Sequence, residues 1–104
     1  MKAMQITFMS QTWIIRDSNP GELLEDTLGT CDPTTNTIIV NPDLPLHVWQ
    51  QTCAHELCHL IEMTLNQNLT EGQVDVMASG LIHLLKENPS ILALYHTEVV
   101  GEDQ

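Results

Sequence analysis

The chain has 104 residues, 42% of them hydrophobic, with Phe8, Trp13, Trp49 and Tyr95 as its only aromatic side chains. That fits one globular domain over residues 1–104, is short for two, and argues against a disordered polypeptide. Three Lys/Arg stand against fourteen Asp/Glu, a formal charge of −11, which argues against a nucleic-acid or anionic-membrane partner and favours a divalent cation or a basic one.

The opening residues, Met1-Lys2-Ala3-Met4-Gln5, run into a segment with Gln and Thr every few positions and lack the apolar run of a signal peptide. No stretch approaches the roughly 18 apolar residues of a membrane span. Cys31, Cys53 and Cys58 form an odd set without a secretory context, so they are expected reduced and the protein cytoplasmic.

In chain order, Gln5–Met9 is a weak strand signal and Thr12–Arg16 a stronger one, broken by Ser18-Asn19-Pro20-Gly21. Leu28–Cys31 is a second short strand. Asp32-Pro33-Thr34-Thr35-Asn36 is a turn cluster, and Thr37–Val40 is a β-branched strand. These predict a small antiparallel sheet of about three strands. Asn41-Pro42-Asp43-Leu44-Pro45 leads into a helix from Leu46 to about Leu65, free of Gly and Pro, with Trp49, Cys53, Leu57, Leu60 and Ile61 at near-helical spacing. Thr70 and Gln73 form a capping box for a second helix, from about Glu71 to Glu87, whose inward stripe is Val74, Ala78, Leu81 and Leu85. Asn88-Pro89 ends it and opens a short last helix to about His96; the tail Gly101–Gln104 is expected to be loose. The class is α+β: the sheet packed on two or three helices.

Chemistry concentrates in His55-Glu56-Leu57-Cys58-His59, an H-E-x-x-H match. Residues four apart share one helix face, so both imidazoles can reach one tetrahedral zinc. Glu56 projects beside that face, where it can take a proton from a water acidified by the metal. Three fixed positions match by chance roughly once in several hundred chains of this length, and the match lies inside a predicted long helix, where the mechanism needs it.

Two histidines hold zinc weakly, so a third ligand is required. No histidine follows at the spacing of the H-x-x-G-x-x-H extension, which points to a carboxylate on the next helix. Glu71 and Asp75 are the candidates. Glu71 as ligand, with Asp75 accepting from a histidine N–H, is preferred; the reverse assignment stands as the alternative. Glu71 is also the kind of acidic first-turn residue that a helix dipole favours. Glu62 lies on the motif helix itself and ranks below both. Cys58, Cys31 and Cys53 read as small core hydrophobes, Met63, Met77 and Leu81 as core, and His47 as surface. Gly80, close to Ala78 and Ser79, suits close approach of the two helices. His83, Tyr95 and His96 could donate to a transition state but are as readily boundary residues.

From Gly29 to Pro89 the chain resembles the small phage- and prophage-type zincins related to the ImmA/IrrE and SprT-like metallopeptidases. The likeness rests on Gly29-x-x-Asp32, the Thr-Ile-Ile-Val strand, the H-E-x-x-H helix, and a second helix of the form Glu-x-x-Val-Asp-x-x-Ala-x-Gly-Leu followed by Asn-Pro. Gln73 stands where ImmA/IrrE proteins tend to place a glutamate, and the span from His59 to Glu71 is short. The resemblance implies zinc, His55 and His59 as ligands, Glu56 as general base, a second-helix carboxylate, and a protein or peptide substrate. Two other readings are a zinc-stabilised binding or regulatory module without turnover, and an acidic decoy that mimics nucleic acid.

Overall fold

The structure is a computed structural model in which residues 3–96 are described. β1 (Met4–Phe8) and β2 (Gln11–Asp17) form an antiparallel hairpin with Phe8 opposite Gln11. Its two turn residues, Met9 and Ser10, both sit at positive φ, 48° and 72°, as a two-residue turn matched to strand twist requires. The chain then crosses to a second hairpin of β3 (Gly29–Asp32) and β4 (Thr37–Val40). In its turn Asp32 Oδ1 accepts from the Thr34 amide at 2.9 Å, and Asn36 takes φ 52°.

The strand order is β1-β2-β4-β3, and β2 pairs with β4 in parallel. This corrects the expected antiparallel sheet of about three strands: there are four, and the sheet is mixed. The weak Gln5–Met9 signal is a full strand, its turn hidden because Met-Ser lacks the usual Asn-Gly signature. The parallel pair arises because the second hairpin docks by its returning strand. Register aligns Ile15 with Ile38 and Asp17 with Val40, so one sheet face carries Trp13, Ile15, Ile38 and Val40, all buried.

On that face lies α1 (Leu46–Thr64), entered from Pro45 and ended at Leu65, with Asn66 at φ 57°. Cys53 and Leu60 complete the main core, with Trp49 and Leu57 beside them. Cys58, one face round, packs against Val74 and Ala78 of α2 (Glu71–Glu87). Ile38, Val40, Leu60 and Val74 are fully enclosed, each contributing about 1.5–3 kcal/mol of burial. The Thr70–Gln73 capping box is formed: Thr70 Oγ1 accepts from the Gln73 amide at 3.1 Å, and the Thr70 amide donates to Gln73 Oε1 at 2.9 Å. After Asn88 the expected single short helix is two pieces, a 3-10 turn at Pro89–Ile91 and α3 (Ala93–His96). The tail Gly101–Gln104 lies outside the described residues.

The layers run sheet, α1, α2. Met63, Met77 and Leu81, expected in the core, are 40%, 52% and 41% exposed, and Leu85 is only half-buried. The helical period identified α2 as amphipathic, but no element among the described residues covers its outer side. Cys53 and Cys58 are buried, Cys31 is half-buried, and all three are free thiols. No described helix is long and apolar enough to cross a membrane.

Candidate metal centre

The site forms where α1 meets both the edge strand β3 and the start of α2. Gly29 sets the first distance. A Cβ there would stand 2.9 Å from Thr52 Cγ2 and 3.0 Å from the Ile39 carbonyl oxygen, so the missing side chain lets α1 settle on β3 beside Glu56. Val74 and Ala78 set the second distance by packing on Cys58. That contact brings the first turn of α2, with Glu71 and Asp75, over the histidine face of α1.

His55 Nε2 and His59 Nε2 lie 3.1 Å apart. Glu71 closes the triangle: Oε1 is 3.1 Å from His55 Nε2, and Oε2 is 3.0 Å from His59 Nε2. One ligand atom from each residue fits within a 4.8 Å cluster, so the three can hold a metal ion. With bonds of about 2.0–2.1 Å, tetrahedral zinc spaces its ligand atoms by roughly 3.3 Å, close to the spacing found here. The opposite ring nitrogens are engaged by other carboxylates. His55 Nδ1 lies 2.7 Å from Asp75 Oδ1, and His59 Nδ1 lies 2.5 Å from Glu62 Oε1. Nδ1–H donation to these acceptors leaves both Nε2 lone pairs aimed at one point, the tautomer a metal needs.

Asp75 thus stands behind His55 and Glu71 in front of it, the preferred arrangement of the two. Glu62, ranked below both, has a defined place: it accepts from His59, and its Oε2 accepts from the Leu69 amide at 2.8 Å. The signal was present in sequence as an i, i+3 pair on one helix. The Leu69 amide bond, with that of His59, holds Glu62 below the usual carboxylate range. Burial alone would depress His55, but the bonds to Asp75 and Glu71 and the charge of Glu56 outweigh it, and its pKa is raised.

Glu56 is 8% exposed, and no hydrogen bond to its carboxylate is found among the described residues. Burial raises its pKa, partly offset by His55 and His59. It lines two hollows. One, of about 380 Å³, runs past His59, Glu62, Cys31 and Leu69. The other, of about 310 Å³, runs past His55, Asp75, Gly29 and Val48. The Cys31 thiol is pushed up to about 12 by burial and then by the charges of Glu56, Asp32 and Glu62, so it stays protonated at neutral pH. Cys58 is likewise raised by burial and faces α2. His83 bonds to the Ser79 carbonyl of its own helix at 2.9 Å, Tyr95 is exposed, and neither they nor His96 line either hollow. The larger hollow of the 18–28 loop, about 610 Å³, lies away from the histidines.

Compared with protein-family models, curated proteins and solved structures, the chain finds no match in any of the three.

Proposed function

We propose that this chain is a zinc-dependent hydrolase, most simply a peptidase of the zincin kind, with His55, His59 and Glu71 holding the ion and Glu56 as general base. The observation that carries the reading is the Glu56 carboxylate, set in a mostly buried residue yet opening onto two hollows, beside a triangle of two imidazole nitrogens and a carboxylate. Burial of the rest of the side chain raises its pKa, which suits a group that takes up and returns a proton. Zinc in the triangle would supply Lewis-acid polarisation and bring a water into the range where it ionises near pH 7.

The remaining chemistry belongs to the chain. Glu56, its pKa raised by burial, accepts a proton from the attacking water and passes it to the leaving amine nitrogen as the carbon–nitrogen bond breaks. Asp75 and Glu62 fix the histidine rings. Among the described residues β3 is the outermost strand on this side of the sheet, so its outer edge can pair with an extended peptide running between the two hollows.

Glu56→Gln tests this. The variant is expected to keep its bound zinc and lose about 10²–10⁴-fold in hydrolysis of peptide substrates; undiminished hydrolysis would sink the reading. A second reading, a zinc-stabilised module without turnover, is favoured by one observation. Within the described residues α2 buries only Val74 and Ala78, so a metal bridging α1 to Glu71 would add substantially to its attachment. That reading expects Glu56→Gln to change nothing while chelation releases α2.

A further inference from the structure

The outer side of α2 carries a patch that the metal centre does not use. Val76 and Leu84 are 73% and 50% exposed, and Met77 and Leu81 lie open beside them. From Val76 to Leu85 the helix bears no Asp, Glu, Lys or Arg, in a chain of net charge −11. These side chains expose on the order of 400 Å² of apolar surface, a size that on a monomer is often functional. In the middle of the patch is Gly80, and a Cβ built there meets nothing within 4 Å. Among the described residues, therefore, the glycine serves no packing contact. At one end is an apolar hollow of about 550 Å³ formed by Leu69, Gly72, Gln73, Val76 and Met77.

We infer that this face pairs with a second copy of the chain, the two α2 helices packing antiparallel about a twofold axis at Gly80. Three observations select a second copy. Gly80 is near the midpoint of the helix, so an antiparallel partner crossing there sets Val76 against the partner's Leu84 and the reverse, as an isologous contact requires. The same register brings the partner's Leu84 to the hollow at Leu69, Gly72 and Val76, and the missing side chains at Gly80 let the two backbones approach. Finally, two acidic copies repel at most orientations, and the uncharged stretch 76–85 gives them a face where they do not. Gln73 and His83, both exposed, lie at the edge of this footprint. Asp75 and the Glu71 carboxylate project to the other side, toward α1, so pairing leaves the metal centre clear.

Light scattering coupled to size exclusion, at tens of micromolar chain, tests the mass directly. The expected value is twice 11.7 kDa, halved by either Val76→Glu or Leu84→Glu. Both positions are exposed in the single chain, so unchanged far-UV circular dichroism is expected. Gly80→Cys supplies a readout of register: mild oxidation should give a disulfide-linked dimer through position 80, absent from the wild type. A wild-type mass of one chain at these concentrations overturns the inference. So does a dimer that survives both charge substitutions, or a dimer whose Gly80→Cys variant does not cross-link. None of these readouts depends on zinc or on hydrolysis, so the inference and the proposed activity stand or fall separately.

Discussion

Two residues spaced by four on a helix can be read directly from sequence, and His55 and His59 were legible for that reason. What spacing could not supply was the order of the carboxylates around them. Glu71, Asp75 and Glu62 all lie within reach of a histidine: the crossing of α2 over α1 puts Glu71 on the Nε2 side and Asp75 on the Nδ1 side of His55, while the i, i+3 spacing within α1 puts Glu62 on the Nδ1 side of His59. The sorting leads to a graded expectation. Asp75→Ala and Glu62→Ala should each weaken zinc binding by about 10–100-fold, less than loss of a ligand, and competition with a chromogenic chelator measures it. Equal effects for Glu71→Ala and Asp75→Ala would contradict the sorting. The raised His55 pKa has its own consequence: zinc affinity should begin to fall at a higher pH than for an ordinary imidazole, as protons compete for the ring. Glu22 makes a modest, solvent-screened contribution to acid stability. Glu22 forms a two-pronged bond with Arg16 at 2.6–2.7 Å and is lowered from 4.5 to about 2, first by that bond and then by the Asn19 amide. A depressed carboxylate stabilises the fold above its unfolded pKa and loses that contribution as pH falls toward the folded value. Urea midpoints measured from pH 5 to pH 2 should therefore fall less steeply in Glu22→Gln than in the wild type.

Among the elements, the two long helices were the most legible. Their apolar period runs without Gly or Pro through α1, and the Thr70–Gln73 box marks the start of α2 by mechanism rather than by composition. Thr70→Ala should cost about 1 kcal/mol in unfolding free energy. The sheet was harder, for a physical reason. The β1–β2 turn puts two non-glycine residues at positive φ, a conformation that Met and Ser do not advertise, and the β2–β4 pairing joins strands about twenty residues apart. The same strain makes a prediction: replacing Met9-Ser10 by Asn-Gly should raise stability by about 1–2 kcal/mol, read from the denaturant midpoint. An unchanged or lower midpoint would mean that the turn is not under strain. Gly29 behaves in the opposite sense. Its substitution by Ala drives a methyl against Thr52 and the Ile39 carbonyl, so a loss of about 1–3 kcal/mol is expected, with zinc affinity reduced because α1 is displaced from β3.

For the molecule as a whole, amphipathicity says that a helix has an apolar stripe but not what covers it. That is why Leu81, Met63 and Met77 were expected inside and stand partly in solvent, and why Cys58 rather than those larger side chains makes the α1–α2 contact. The consequence is an uneven molecule. The sheet and α1 share a closed core, whereas α2 is fastened by Val74 and Ala78, by the acidic and imidazole groups at its first turn, and by Lys86 donating to Gln50 of α1 near its end. A metal ion in that position would join the two parts, so binding and folding of α2 should be coupled. Hydrogen exchange should then show α2 amides protected in the zinc form and released first on chelation, with the strands little changed. Loss of protection spread evenly over sheet and helices would argue against this coupling.

Everything proposed for this site depends on the ion and on its third ligand. Metal content per chain, measured by elemental analysis of protein purified without chelator, tests both most directly when wild type and Glu71→Ala are compared. Zinc near one equivalent is expected in the wild type, and its loss in the variant. A wild type that takes up no zinc even when the metal is supplied, or a Glu71→Ala variant that keeps a full equivalent, would contradict that expectation.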